Sequence, residues 1–175
     1  MFEKFMEYVG EKKICSFSSA EEFIALKNGN NFMNGMYRLF KTNDVSKWNE
    51  IVETAFPQYA HLIEVFGFDW LGRIFALNKK SGTVLVFEPG TGEVLDIPAD
   101  LTGFHDIEIA EYHEDSLASN FFEEWFEKSG RYVLKYNECA GYKVPLFLNG
   151  DDTVDNLEVG DMEVYWEIMT PLINV

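Results

Sequence analysis

The densest group of metal-capable side chains lies between residues 105 and 115. It includes His105, Asp106, Glu108 and His113. Imidazoles and carboxylates are the ligands that zinc or iron binds, so one interpretation of the segment is a small metal-assisted hydrolase. The spacing matches neither His-Glu-x-x-His nor a comparable ligand pattern. Acidic residues are also favoured at a helix amino terminus by the helix dipole, and a solvated acidic face is the competing interpretation.

Two further segments have the residue types of ligand-binding loops without the required context. Residues 89–92, Pro-Gly-Thr-Gly, contain the glycines of a phosphate loop but lie between two predicted strands, which is typical of a hairpin turn. Asp151, Thr153 and Asp155 fall at positions one, three and five of a calcium loop, but Asn and Met occupy the sixth and twelfth positions. This pattern excludes an EF-hand. No Gly-x-Ser-x-Gly elbow is present, so the sequence offers no positive sign of an enzyme, and we expect no cofactor.

The helices that position these residues are predicted from hydrophobic periodicity and capping residues. Apolar residues at positions i, i+3, i+4 and i+7 mark amphipathic helices, and Ser or Asp at the start and Gly at the end mark their limits. The sequence predicts four helices, at residues 2–9, from a Ser18 or Ser19 cap to residues 28–29, at residues 45–55, and from an Asp115 or Ser116 cap to Gly130.

From about residue 61 the apolar period changes to two, and turn residues recur every few positions. This pattern is typical of an antiparallel meander. The predicted strands are residues 36–40, 62–68, 73–78, 83–88, 93–97 and 162–168, and residues 139–161 are predicted as loop. Helices flanking one antiparallel sheet of about four to six strands make an α+β domain. The hairpin of residues 83–97 is its most secure element, because strands flank a Pro-Gly-x-Gly turn.

Length and composition indicate one globular domain over residues 1–175. Hydrophobic residues make up 47% of the chain and charged residues 25%, which excludes disordered, collagenous and coiled-coil classes. No apolar run has membrane-spanning length, and the amino terminus lacks the regions of a signal peptide, so we expect a cytoplasmic protein. Cys15 and Cys139 have no metal or redox spacing and are predicted to be reduced structural thiols.

The net charge is confined to the second half of the sequence. Residues 1–87 contain ten basic and ten acidic residues, whereas residues 88–175 contain four basic and twenty acidic ones, a net charge of 4 − 20 = −16. An acidic surface repels phosphate groups, so nucleic acid and anionic membranes are poor partners. A basic protein or a cation would be attracted. Simple solubility is the competing explanation of the charge.

Several short motifs together resemble a known family. They are residues 35–38 (GMYR), 68–73 (FDWLGR), 87–95 (FEPGTGEVL), 139–150 (CAGYKVPLFLNG) and 156–158 (NLE). In this order they resemble the bacterial immunity proteins paired with type VI secretion DNase effectors, in which a GAD-like amino-terminal region precedes a carboxy-terminal immunity region. The resemblance implies a GAD-like region over residues 1–100 and an acidic immunity-type region over residues 101–175. Asn149 stands where the pattern has Gly.

The resemblance implies a cytoplasmic antitoxin that binds a cognate toxin and has no catalysis of its own. A basic nuclease domain would complement the acidic second half, since complementary potentials raise association rates. The alternative is a regulatory protein-binding module of the wider SUKH-type group without a toxin partner. A gene neighbour encoding a secreted toxin would separate the two.

Two acidic groups are candidates for the toxin-binding surface. The first group is Asp106, Glu108, Glu111, Glu114 and Asp115, and the second, favoured group is Asp151, Asp152, Asp155, Glu158 and Asp161. The second group lies in a glycine-punctuated segment, and loops on a rigid scaffold often carry recognition. Tyr142, Phe147 and Leu157 are the candidate apolar anchors beside it. The competing interpretation is that these three are core residues and that the acids only increase solubility.

Overall fold

A six-stranded antiparallel sheet forms the centre of the protein. The computed structural model describes residues 1–11 and 16–174. The strands are neighbours in space in the order in which they occur in the chain, so the sheet is a meander. They are β1 (Asn31–Phe32), β2 (Tyr37–Leu39), β3 (Ile63–Asp69), β4 (Ile74–Asn78), β5 (Val84–Glu88) and β6 (Glu93–Ile97).

The four strands predicted between residues 62 and 97 are confirmed, each within one residue of its predicted bounds. The β5–β6 hairpin pairs Val84 with Ile97 and Glu88 with Glu93. Residues 89–92 form its turn, in which Gly92 has a φ of +71°. Glycine adopts this left-handed conformation without the steric cost of a Cβ. The segment is thus a hairpin turn, as its position between two strands predicts.

Seven α-helices accompany the sheet in the described part of the chain. They are α1 (Glu3–Tyr8), α2 (Ala20–Lys27), α3 (Val45–Ala55), α4 (Leu101–Gly103), α5 (His113–Leu117), α6 (Ser119–Lys128) and α7 (Met162–Ile173). A π-helical turn, Phe104–Ile109, continues α4. Ser19 caps α2, because its side chain accepts a hydrogen bond from the Glu22 amide. The first three predicted helices and the α+β class are confirmed.

Both faces of the sheet are buried, and two apolar clusters fill the space on either side. Side chains alternate between faces along a strand. In β5, Val84 and Val86 belong to one cluster, whereas Leu85 and Phe87 belong to the other. Buried residues of α1, α2, α5 and α6 join the first cluster, and those of α3 and α7 join the second. Each cluster combines residues from before and after position 100, so the charge boundary is not a packing boundary.

The segment predicted as one helix from an Asp115 or Ser116 cap to Gly130 consists of two helices, and both predicted caps lie within α5. Ala118 has a φ of +50°, in the left-handed region, and this residue separates α5 from α6. The Ser116 hydroxyl does not cap α6 but donates to the carbonyls of Glu108 and Tyr112. Cys15 lies outside the described residues, so its predicted reduced state stays a prediction.

The loop prediction for residues 139–161 is wrong at both ends. Two strands, β7 (Glu138–Tyr142) and β8 (Leu157–Asp161), pair antiparallel in a second, two-stranded sheet. Glycines conceal these strands in the sequence, and Gly141 has a packing reason. A Cβ at Gly141 would lie 2.6 Å from the ring of Tyr165, which covers the strand. Close packing of the aromatic ring therefore requires glycine within β7.

The strand predicted at residues 162–168 is also wrong, because this segment is the first part of α7. Met162, Tyr165, Trp166 and Met169 are buried at the helical spacing i, i+3, i+4 and i+7. Val164 and Ile168, expected to face inwards from a strand, are 51% and 55% exposed. Asp161 caps the helix by accepting hydrogen bonds from the amides of Glu163 and Val164.

Candidate functional site

Residues 143–156 connect strand β7 to strand β8, and we call this segment the acidic loop. Asn156 braces this loop. Its side-chain amide donates to the carbonyls of Val144 and Asp151, at 2.8 and 2.9 Å, and its side-chain oxygen accepts from the Val144 amide at 3.0 Å. A Cβ at Gly150 would lie only 2.0 Å from the Val144 carbonyl oxygen. The backbone at Gly150 therefore packs closely against the backbone at Val144, and these contacts fix the shape of the loop.

Asn149 shows how the loop accommodates the residue that departs from the family pattern. Its φ of +62° lies in the left-handed region. Asn tolerates this conformation better than most residues with a side chain. The loop thus keeps a backbone shape that suits glycine.

The five acids favoured from the sequence all lie on the surface. Asp151, Asp152, Asp155, Glu158 and Asp161 are exposed. Asp152 accepts a hydrogen bond from the Tyr142 hydroxyl at 2.6 Å, and Asp155 forms an ion pair with Lys128 at 2.5 Å. The hydrogen bond and the charge of Lys128 lower the pKa of Asp155. All five residues are thus accessible to a partner.

The three predicted apolar anchors occupy different environments. Tyr142 and Leu157 are each only 8% exposed and belong to the first core cluster. A Cβ at Gly90 would lie 2.5 Å from the Tyr142 ring, so this ring packs against the β5–β6 turn. Phe147 is half-buried. Tyr142 and Leu157 are therefore core residues. Phe147 is the one of the three candidate anchors that keeps substantial accessible surface.

The structure reveals an apolar surface that the sequence analysis missed. Val164, Ile168 and Leu172 lie four residues apart on the outer side of α7, and Val159 of β8 lies beside them. A groove of about 220 Å³ runs between the β7–β8 pair and α7 and is lined by Val159, Val164 and Ile168. Helical spacing of apolar residues at 164, 168 and 172 was the available signal, but it was read as part of a strand.

A second depression lies where the β3–β4 and β5–β6 turns meet α5 and the acidic loop. This cleft has a volume of about 420 Å³, and Arg73, Glu88, Glu114, Tyr142 and Asp152 contribute to its lining. Arg73 donates to Asp69 at 2.6 Å and to Glu88 at 3.1 Å, and its third contact is the Ser116 carbonyl at 3.0 Å.

The charges at the base of this cleft compensate each other. Burial lowers the pKa of Arg73, but the charges of Asp69 and Glu88 outweigh it, so that the pKa is raised and the guanidinium stays charged. Asp69 also accepts hydrogen bonds from the amides of Leu71 and Arg73. The cluster consequently fixes the β3–β4 turn against β5 and α5 instead of presenting an open charge.

Arg38 is a buried cation in β2 that joins the sheet to β7. Its guanidinium donates to the carbonyls of Lys135 and Glu138 at the start of β7, and to the carbonyl of Asp69 at 2.8 Å. It also lies over the Phe68 ring, 4.5 Å from the centroid. Burial lowers its pKa to about 10. Arg38 thereby anchors the strand that leads into the acidic loop.

The residues of the metal interpretation have structural partners. His105 is fully buried; its Nδ1 lies 2.7 Å from the Leu101 carbonyl and its Nε2 lies 2.8 Å from the Tyr37 hydroxyl. A carbonyl only accepts, so Nδ1 carries the proton and Nε2 accepts from tyrosine. Burial lowers the pKa of His105 to about 4. Asp106 accepts from the amides of Phe2 and Phe5.

His113 and Glu108 are likewise not part of a group of metal ligands. His113 Nδ1 lies 2.6 Å from the Ser119 hydroxyl, and its ring stacks on Tyr8. Glu108 is half-buried. Within residues 1–11 and 16–174, no three His, Cys, Asp or Glu side chains are grouped so that they could hold a metal ion. His105, Asp106 and His113 therefore have hydrogen-bond partners that hold the π-helical turn, α1 and α6 in place.

Cys139 is a free thiol within β7. It is 1% exposed, and burial raises its pKa to about 12. A thiol is a good nucleophile only as the thiolate, so this residue is inert at neutral pH. Its burial agrees with the structural role predicted for Cys139.

The surface formed by the acidic loop, β8 and α7 is predominantly negative, with Lys143 as its one basic residue. Residues 144–175 contain seven acidic residues and no Lys or Arg. Lys143 borders the groove, and Lys47 of the neighbouring α3 forms an ion pair with Glu163 at 2.6 Å. The remaining acids create a negative potential that attracts cationic partners and repels anionic ones. Over the described residues, none of the helices has the length and apolar character needed to cross a bilayer.

Comparison with known proteins shows that the region containing this surface is similar to a class of immunity proteins. Residues 103–172 match the family model described as "T6SS immunity protein Tdi1, C-terminal", where T6SS is the type VI secretion system. The predicted resemblance to type VI secretion immunity proteins is thereby confirmed, and residues 103–172 carry it. No curated protein sequence matches the chain.

The fold is also similar to that of a solved structure, "Crystal structure of Atu4351 from Agrobacterium tumefaciens". The TM-score is 0.64 with 18% sequence identity, and the alignment covers 97% of this chain and 88% of that chain. At this identity the likeness concerns the fold alone. It extends over both the sheet and the acidic region, so the two parts occur together in another protein.

Proposed function

We propose that this protein is an immunity protein that binds a cognate bacterial toxin and neutralises it without catalysis of its own. The match of residues 103–172 to the T6SS immunity protein family carries the proposal. The site geometry supports binding: Cys139 is buried with a raised pKa, and both ring nitrogens of His105 have hydrogen-bond partners. The accessible feature of the matched region is a braced acidic loop.

We further propose that the toxin presents a basic surface, as a nuclease domain does. A nuclease attracts phosphate groups, and an inhibitor with exposed carboxylates meets such a surface with complementary potential. Asp151, Asp152 and Asp155 project from a loop whose backbone is held by Asn156. A nuclease inside a bacterium acts in the cytoplasm, so we place the immunity protein there.

The first test begins with a search of the neighbouring genes for an encoded toxin domain. Cells that produce this domain should survive when they also produce the wild-type chain, and the purified proteins should form a complex of fixed stoichiometry. A catalytically inactivated toxin domain allows the affinity to be measured by calorimetry. Absence of both protection and binding would overturn the proposal and favour a regulatory module that binds another protein.

The second test asks whether the loop acids steer association. The variant Asp151→Asn/Asp152→Asn/Asp155→Asn removes three charges and keeps hydrogen-bond acceptors for Tyr142 and Lys128. We expect the association rate at low salt to fall about tenfold, with little difference at high salt, because steering is screened by ions.

A matched control separates the position of the charges from the net charge. The variant Glu3→Gln/Glu7→Gln/Glu21→Gln removes three exposed acids from α1 and α2. It has the same net charge as the loop variant and should retain most of the wild-type association rate. Equal rates for the two variants would remove the acidic loop from the interface while leaving toxin binding itself established.

A further inference from the structure

The helix α7 has a buried apolar side and, next to it, an exposed apolar stripe. Its inner side, with Tyr165, Trp166 and Met169, is buried against the sheet. Its outer side presents Val164 and Ile168, which are 51% and 55% exposed, followed by Leu172 at 36%. These three residues are spaced i, i+4 and i+8 and therefore form one stripe along the helix. Only the inner side of α7 contributes to the core.

Val159 extends this stripe onto the neighbouring strand β8, where it is 36% exposed. Together with Val164 and Ile168 it lines the groove between the β7–β8 pair and α7, and Tyr165 and Met169 also contribute to the lining. We call this surface, formed by Val159, Val164, Ile168 and Leu172, the α7 groove. A contiguous exposed apolar surface on a soluble protein commonly marks an interaction site.

Acidic residues surround the α7 groove. Glu158 and Asp161 line it on the β8 side, and Glu167 is an exposed residue of α7 itself. Lys143 contributes one positive charge to the lining, and Lys47 neutralises Glu163 nearby. The apolar stripe is thus framed mainly by negative charge.

This charge selects among the possible occupants. A second copy of the chain would bring this mainly negative surface against itself, and like charges across an interface oppose association. An anionic lipid surface is repelled for the same reason. A segment with apolar side chains and flanking Lys or Arg complements both features of the groove.

We propose that the α7 groove is the docking site for a basic, amphipathic segment of the toxin. This inference rests on the proposed function and names the surface that provides affinity. The apolar stripe supplies the anchoring contacts, whereas the acids of the loop and of β8 set the association rate and orientation. The proposed anchors are therefore Val164 and Ile168 of α7. Tyr142 and Leu157, which were candidate anchors in the sequence, are part of the core.

The test compares two substitutions of exposed helical residues. Ile168→Asp places a charge in the groove, and Leu26→Asp is its control, because Leu26 is 65% exposed on α2, on the other side of the sheet. Binding to the inactivated toxin domain that the first test identifies is measured by surface plasmon resonance. We expect Ile168→Asp to weaken binding about 30-fold or more, mainly through faster dissociation, and Leu26→Asp to bind like the wild type.

Folding of each variant is checked by circular dichroism and by the fluorescence of buried Trp166. The milder Ile168→Ala replaces Ile168→Asp if the charged variant unfolds, with an expected loss of about tenfold. Hydrogen exchange of the wild-type complex should show protection in residues 159–172.

The possible failures are distinguishable. If the wild-type chain does not bind the toxin domain, the proposed function fails. If the wild type and both Ile168 variants bind equally, toxin binding stands and the α7 groove is overturned as its site. Sedimentation of the wild type as a dimer that Ile168→Asp converts to a monomer would assign the groove to a second copy and overturn the proposal as well.

Discussion

The cluster at the base of the cleft and the acidic loop both contain several charged side chains, but these side chains have different partners. Arg73 contacts two carboxylates and a carbonyl and is only 12% exposed at the side chain. In the acidic loop, Asp155 has Lys128 as its counter-ion, and the Asp155 side chain is still 83% exposed. Charges compensated inside the protein fix its architecture, whereas charges left at the surface are available to a partner.

The buried cations should dominate stability, and Arg38 tests this most strongly. Arg38→Met removes the donor for three buried carbonyl groups and should lower the free energy of unfolding by about 3 kcal/mol or more. Chemical denaturation measures the loss. The control is Arg131→Met, because the Arg131 side chain is 70% exposed and pairs with Glu127 at the surface. A similar loss in both variants would contradict the contrast between buried and exposed charges.

The exposed region should nevertheless be as well defined in its backbone as the core. Gly150→Ala places a Cβ 2.0 Å from the Val144 carbonyl oxygen, and the backbone must move. We expect a loss of about 1 to 3 kcal/mol, as for other overpacked sites, and faster hydrogen exchange at the amides of Lys143 and Val144.

Gly160→Ala is the matched control for this loop substitution. Nothing lies within 4 Å of a Cβ at Gly160, which lies in the adjacent strand β8. It should fold with nearly wild-type stability and exchange rates. Unchanged exchange in Gly150→Ala would show that the acidic loop is deformable, and steering by fixed carboxylates would lose its structural basis.

Buried His105 should contribute an effect that depends on pH. Its pKa is about 4 in the folded protein, against an ordinary value of 6.5. Between these values the unfolded chain binds a proton that the folded protein does not. The stabilising contribution is therefore complete above pH 6.5 and falls by roughly 1.4 kcal/mol per pH unit as the pH drops towards 4.

Unfolding free energies measured from pH 7 to pH 4.5 test this contribution. The curve of His105→Gln should fall less steeply than that of the wild type. His61→Gln, at a side chain that is 92% exposed, should keep the wild-type slope. Parallel curves for wild type and His105→Gln would show that other groups cause the acid sensitivity.

The meander could be predicted because each of its strands carries its own local signals. The period of two and the turn glycines define β3 to β6 without knowledge of the rest of the fold. In contrast, residues 162–169 satisfy two patterns at once. Met162, Val164 and Trp166 alternate as in a strand, whereas Met162, Tyr165, Trp166 and Met169 have helical spacing. Short apolar segments of this kind are ambiguous by periodicity alone.

The candidate site was predicted only in part for the same reason. The acidic residues of the loop are evident from the sequence, and the structure has them exposed at the surface. The sequence left anchor and core roles open for Tyr142 and Leu157 and did not single out Val164 and Ile168, because exposure depends on which segments pack together in the fold. Tyr142 and Leu157 are inside, and Val164 and Ile168 are outside.

The sequence by itself determined the α+β class, the meander, the family resemblance and the concentration of negative charge in residues 88–175. These properties depend on neighbours within a few positions, on motif order or on counting. Only the tertiary structure decided which charges are compensated and which apolar residues stay exposed. Arg73 meets Glu88 and the Ser116 carbonyl, and Arg38 meets the carbonyls of residues 135 and 138, across separations that no local pattern encodes. Burial and charge pairing arise from contacts between distant segments, and those contacts exist only once the chain has folded.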